Sequence, residues 1–158
     1  SHIGDYNFRI FIPIYLNGKM VSYLGRDWTG QSPLRYKACE LKDEVIHHKH
    51  TLYGIDLCRS RHGIIVEGST DAWRLGPGAV ATLGTGYKRQ QVLLMKERFD
   101  RIFIVFDPEP VAQERAHKLA EEASGFGIES EVILIDGVND PGSLGQRDAD
   151  DLVRELLK

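Results

Sequence analysis

Gly63-Ile64-Ile65-Val66-Glu67-Gly68-Ser69-Thr70-Asp71 is the stretch on which the fold turns. An apolar run of strand length stops at a carboxylate and a glycine, and Asp71 follows Glu67 at a spacing that suits a helix starting promptly after Gly68. Downstream the pattern repeats. Ala79-Val80-Ala81-Thr82-Leu83, Ile102-Phe103-Ile104-Val105-Phe106 and Val132-Ile133-Leu134-Ile135 are further apolar runs, with helical periods between them. Near-continuous apolar strands need cover on both faces, so the alternation predicts an α/β fold, a parallel sheet flanked by helices. One such helix shows Val111, Ala112, Ala116, Leu119, Ala120 and Ala123 on a single face, with Pro110 suited to its first turn and Gly125 and Gly127 ending it. Asp148 to Lys158 reads as a last amphipathic helix.

Upstream of Gly63 the pattern changes. Phe8 to Tyr15 and Met20 to Leu24 flank Asn17-Gly18, a pair that tolerates positive φ and therefore predicts a hairpin. The expected division is a β-rich lobe over 1–62 and an α/β domain over 63–158. The first part carries nine Lys/Arg against six Asp/Glu, the second eleven against seventeen. A polyanion is steered to the front, and an acidic pocket in the back needs cations. With 42% apolar and 27% charged residues and no apolar span of membrane length, the chain reads as a soluble intracellular protein. Cys39 and Cys58 have neither zinc nor disulfide spacing and read as reduced structural thiols. Ser1-His2, without an initiator Met, reads as the scar of a cleaved tag on an excised fragment.

Carboxylates follow three of the four apolar runs: Glu67, Asp107 and Asp136, with Asp71, Glu109 and Asp140 close by. In an open parallel sheet these positions share the edge where ligands bind. Like charges at close range require protonation or a cation, and an all-oxygen set without His or thiolate favours Mg²⁺ or Mn²⁺ over Zn²⁺. For His47-His48-Lys49-His50 a metal role is disfavoured, because adjacent histidines usually diverge and Lys49 repels a cation. Trp28 and Trp73 are expected to pack in the core or lobe more than to stack on bases. Gly84-Thr85-Gly86 is a fair anion-cradling turn.

Taken together, Val66-Glu67-Gly68-Ser69-Thr70-Asp71, Ala81-Thr82-Leu83-Gly84-Thr85-Gly86 and Val105-Phe106-Asp107-Pro108-Glu109 resemble the Toprim signature in its primase form. Phe11-Ile12-Pro13-Ile14, Gly25-Arg26, Pro33 to Tyr36 and Lys49-His50-Thr51-Leu52-Tyr53-Gly54 are similar to the stretch that precedes Toprim in bacterial and phage primases. The resemblance covers nearly the whole chain. It implies the RNA-polymerase core of a primase, a metal-dependent nucleotidyltransferase using nucleoside triphosphates on a single-stranded DNA template. It further implies Glu67 as general base or metal ligand, and Asp71, Asp107, Glu109 and Asp140 as holders of Mg²⁺ or Mn²⁺. Arg26, Lys37 and Lys49 would face phosphates, a replicative helicase or other domains of the parent chain would be partners, and the setting is the cytoplasm of a bacterial or phage-infected cell. Primases of this kind carry further sequence before the front lobe, so inactivity of the fragment alone is among the expectations.

Departures from the pattern are also visible. Glu109 stands where the family has Asp, Pro108 and Pro110 flank it, and Gly142 follows Pro141 where primases usually place an acid. Alternatives are a Toprim nuclease using the same acids, and a metal-poor Toprim module serving assembly in a replication protein.

Overall fold

The computed structural model describes residues 6–84 and 86–158. The chain forms two compact units, 1–48 and 49–158. The sequence pattern changes later, near Gly63; residues 49–62 belong with the second unit because Tyr53 exchanges backbone hydrogen bonds of 3.0 Å with Ala81.

The first unit is a three-stranded antiparallel sheet of β1 (Arg9–Leu16), β2 (Lys19–Asp27) and β3 (Tyr36–Ala38), in that order. Asn17 and Gly18 take φ of 53° and 76°, so the turn forms as its composition predicts. Ile12, Ile14, Val21 and Leu24 are buried. Past β3 the chain returns to β2, where Val45 and Ile46 donate to the Val21 carbonyl at 2.9 and 3.2 Å.

In the second unit a four-stranded parallel sheet has the order β5-β4-β6-β7. Its strands are β4 (His62–Val66), β5 (Ala79–Ala81), β6 (Arg101–Ile104) and β7 (Glu129–Val132). The helices are α1 (Ser69–Leu75), α2 (Arg89–Arg98), α3 (Pro110–Gly125) and α4 (Gln146–Leu156). Ile64, Ile65 and Val66 are fully buried, as a central strand covered on both faces requires. Gly63 has no room for a side chain: a Cβ there would lie 2.7 Å from the buried Phe99 ring. On α3, Ala112, Ala116, Leu119 and Ala123 are buried, whereas Val111 is exposed.

Three strands depart from their apolar runs, β6 ending at Ile104 although its run continues to Phe106. β5 stops at Ala81 because Leu83 adopts φ 62°, which ends extended structure, although Thr82 N still donates to Val66 O at 3.0 Å. β7 lies at 129–132 rather than 132–135. It is an edge strand, and Arg101 on β6 pairs with Glu129 at 3.4 Å and Glu131 at 3.1 Å across it. Cross-strand charge pairs rather than an apolar run mark its register. Among the described residues no helix is long and apolar enough to cross a membrane. Cys39 and Cys58 are free thiols.

Candidate active site

Parallel strands deliver the residues after β4 and β6 to the same sheet edge, and Glu67 and Asp107 meet there. Asp107 N donates to Glu67 Oε2 at 3.4 Å, while Arg115 on α3 pairs with Glu67 Oε1 at 3.3 Å. Gln113 on the same helix donates to the Asp107 carbonyl at 2.9 Å and steadies the loop. The helix α1 does begin promptly after Gly68 and carries Asp71 in its first turn, buried. Gly68 N donates to Asp71 Oδ2 at 3.0 Å and Gly142 N to its Oδ1 at 2.9 Å. The turn at Pro141–Ser143 thus brings Asp140 beside Asp71, with Ser143 Oγ donating to Asp140 Oδ1 at 2.8 Å. Arg74, one turn further along α1, donates to the Gly142 carbonyl at 3.3 Å and ties the same turn down.

The charges act on one another. Burial first, then Glu67, Asp71, Asp140 and Glu109 in decreasing order, push the Asp107 carboxyl up to about 7. Burial also raises Asp71, with Asp140 and Glu67 adding to it and the Gly142 and Gly68 amides opposing. Glu109 reaches the set only from an exposed position at the N-cap of α3, between its two prolines. Asp136 is exposed beyond β7 and makes none of the hydrogen bonds that tie the cluster together. Gly142 marks the absence of a further acid for a spatial reason: a Cβ there would lie 2.8 Å from Asp71 Oδ1 and 3.2 Å from Asp140 Oδ1. A side chain at 142 and the present packing of these carboxylates exclude each other.

Lys49 sits beside this cluster. Its ammonium donates to the carbonyls of Thr82, Leu83 and Gly86 at 3.1, 3.0 and 2.8 Å. Burial and Lys88 push its pKa down to about 8, with Glu67 opposing. Its donors hold the carbonyls of Thr82, Leu83 and Gly86 in place beside the site. Thr85 of that loop, and Ser1-His2, lie outside the described residues. In the first unit, Arg26 lies 5.6 Å from the Tyr36 ring centroid and Lys37 4.8 Å from that of Tyr6. Trp28 and Trp73 are 65% and 43% exposed, contrary to the packing expected of them; Trp73 Nε1 donates to the Tyr53 hydroxyl at 2.7 Å.

No family model matches the chain. The DNA primase of Synechococcus elongatus is 29% identical over an alignment 165 positions long that covers 94% of this chain and 24% of that protein. The chain therefore spans about a quarter of the length of that relative. The catalytic core of Escherichia coli primase superposes with a TM-score of 0.80 at 21% identity, over 95% of this chain and 51% of that one. A primase catalytic domain bound to single-stranded DNA superposes at 0.77 and 22% identity, over 95% and 52%. This chain has the primase catalytic-core fold.

Within the primase-core fold the acid cluster offers the kind of donor a hard divalent cation takes, although its ligand atoms do not form a group of three within 4.8 Å of one another among the described residues. Its donors are oxygens, and Asp107 Oδ1 is buried without a hydrogen-bond partner among the described residues. Arg115 and Gln113 have no signal in the sequence, because they act from the polar side of a helix read for its apolar face, and Arg74 acts through a contact 68 residues away in the chain.

The raised Asp107 has a measurable consequence. Its folded-state pKa of about 7 lies above the ordinary 3.8, so between those values the folded chain keeps a proton that the unfolded chain has lost. That contribution to stability is fully present below pH ~4 and is lost as pH rises through ~7. Without divalent metal, thermal denaturation is expected to show a loss of about 1–2 kcal/mol from pH ~5 to ~8, after discounting for solvent screening. Asp107→Asn should flatten the profile; an unchanged slope in that variant would assign the pH dependence elsewhere.

Proposed function

We propose that this chain is the catalytic-core fragment of a DNA primase, a metal-dependent nucleotidyltransferase that builds RNA primers on single-stranded DNA, with 63–158 as its Toprim domain. The observation that carries the reading is the convergence of Glu67, Asp71, Asp107 and Asp140, with Glu109 at the rim, in a fold shared with primase cores. Glu67, Asp71, Asp107, Asp140 and Glu109 would hold Mg²⁺ or Mn²⁺. When bound, the metal would neutralise triphosphate charge and acidify the primer 3′-hydroxyl. Glu67 is the general base or a metal ligand, oriented by Arg115 through one oxygen so that the other faces the Asp107 loop. Asp71 is held rigid by two backbone amides, which fixes the position of its charge without using a side chain. Lys49 adds positive charge beside Glu67, and Arg26 and Lys37 face phosphates of the template or nucleotide. The proposed setting is the replicating cytoplasm of a bacterial or phage-infected cell, with a replicative helicase as partner.

Extension of an RNA primer already annealed to a DNA template tests the chemistry without requiring initiation. The chain with nucleoside triphosphates and Mn²⁺ is expected to lengthen the primer, and EDTA to stop it. Cleavage of plain DNA with Mg²⁺ and no nucleotides would instead identify a Toprim nuclease. Neither activity together with no metal binding would leave a metal-poor assembly module.

A further inference from the structure

The segment after β3 carries a second group of ligating side chains, in the first unit and unrelated to the acid cluster by residue. Glu44, His47 and His48 each offer one ligand atom, all within 4.8 Å of one another. The Glu44 side chain is only 3% exposed, yet its two oxygens are treated very differently. Oε1 accepts from Ser22 Oγ at 2.6 Å, from His48 N at 3.2 Å and contacts His48 Nδ1 at 2.8 Å. Oε2 is buried and has no hydrogen-bond partner among the described residues; His47 Nε2 lies 3.9 Å from it. A buried carboxylate oxygen left bare costs free energy unless something supplies positive charge. One oxygen fixed by hydrogen bonds and the other open is how a ligating carboxylate is commonly held.

The sequence's objection that adjacent histidines diverge fails on the geometry. The His47 and His48 rings do not diverge but stack, with centroids 4.4 Å apart and an interplanar angle of 25°. Lys49 belongs to the second unit, where its ammonium donates to the carbonyls of Thr82, Leu83 and Gly86. Donors around a tetrahedral ion with bonds of about 2.0–2.1 Å stand about 3.3 Å apart, so small side-chain rotations close the set.

We propose that Glu44, His47 and His48 bind a borderline transition-metal ion, Zn²⁺ foremost, through one carboxylate oxygen and two imidazole nitrogens, with solvent completing the shell. Two imidazoles and a carboxylate suit Zn²⁺ and not the Mg²⁺ assigned to the all-oxygen site. The ion would fasten the 44–48 segment to β2, where Ser22 already holds Glu44. The inference does not depend on the proposed chemistry at Glu67 and Asp107.

Zn²⁺ competition against a chromophoric chelator, in excess Mg²⁺, tests it on the whole chain and on His47→Ala and Asp107→Asn. His47 is 34% exposed, so its truncation should leave the fold intact, which thermal denaturation verifies. The expected result is one Zn²⁺ per chain, at least tenfold weaker in His47→Ala, unchanged in Asp107→Asn, with Zn²⁺ shifting the ring-proton signals of His47 and His48 but not of His117. Equal affinity in His47→Ala, loss confined to Asp107→Asn, or no Zn²⁺ on the parent chain would each overturn the assignment.

Discussion

Glu67→Gln is expected to slow primer extension by about 10³-fold while leaving the fold in place, because it removes the proposed base and a metal-facing charge in one isosteric step. Glu67 is the largest Coulombic cause raising Asp107, so the same change should bring the Asp107 carboxyl down toward its ordinary range. Melting temperature at neutral pH should therefore hold or rise, which separates a chemical role from a structural one. The amide retains a carbonyl oxygen for Arg115, at present 3.3 Å from Glu67 Oε1. An extension rate within about threefold of the parent would remove Glu67 from the mechanism.

Lys49→Met should be the most destabilising substitution near the site. It deletes three charge-assisted donors at once and leaves the carbonyls of Leu83 and Gly86 facing an apolar side chain. Thr82 O is less affected, because Gln91 Nε2 also donates to it at 2.9 Å. Leu83 already sits at φ 62°, a conformation that persists only while its surroundings hold it. The expected loss is about 2–4 kcal/mol in urea denaturation, with Lys49→Arg recovering part of it. A loss below about 0.5 kcal/mol would mean that the loop is held by other contacts.

Much of this architecture was legible because local chemistry and tertiary demand agree. Asn17-Gly18 needs positive φ and has it; Ile64 to Val66 is apolar because β4 is central; Pro110 and Gly125 bracket α3. The acids were legible as a consequence of direction: parallel strands place their sequels on one edge, which is enough to bring Glu67 to Asp107. Asp136 failed the same logic because β7 ends at Val132, earlier than its apolar run suggests, and β7 was misplaced because an edge strand with charge pairs to Arg101 needs no apolar alternation. Position 142 shows the limit from the other side. The missing acid reads in sequence as a lost ligand, but the structure shows a glycine whose amide holds Asp71 and whose Cβ position is already filled by Asp71 and Asp140. Arg74 and Arg115 are long-range partners and Gln113 reaches back to the loop before its own helix, and nothing in their local sequence announces them.

The central claim is that the carboxylates around Asp107 form one divalent-cation site. Calorimetric titration of Mn²⁺ into the intact chain and into Asp107→Asn, at low ionic strength, tests it most directly. Saturable binding by the parent that is lost in Asp107→Asn is the predicted result. Absence of binding in the parent, or equal binding in the variant, would contradict it.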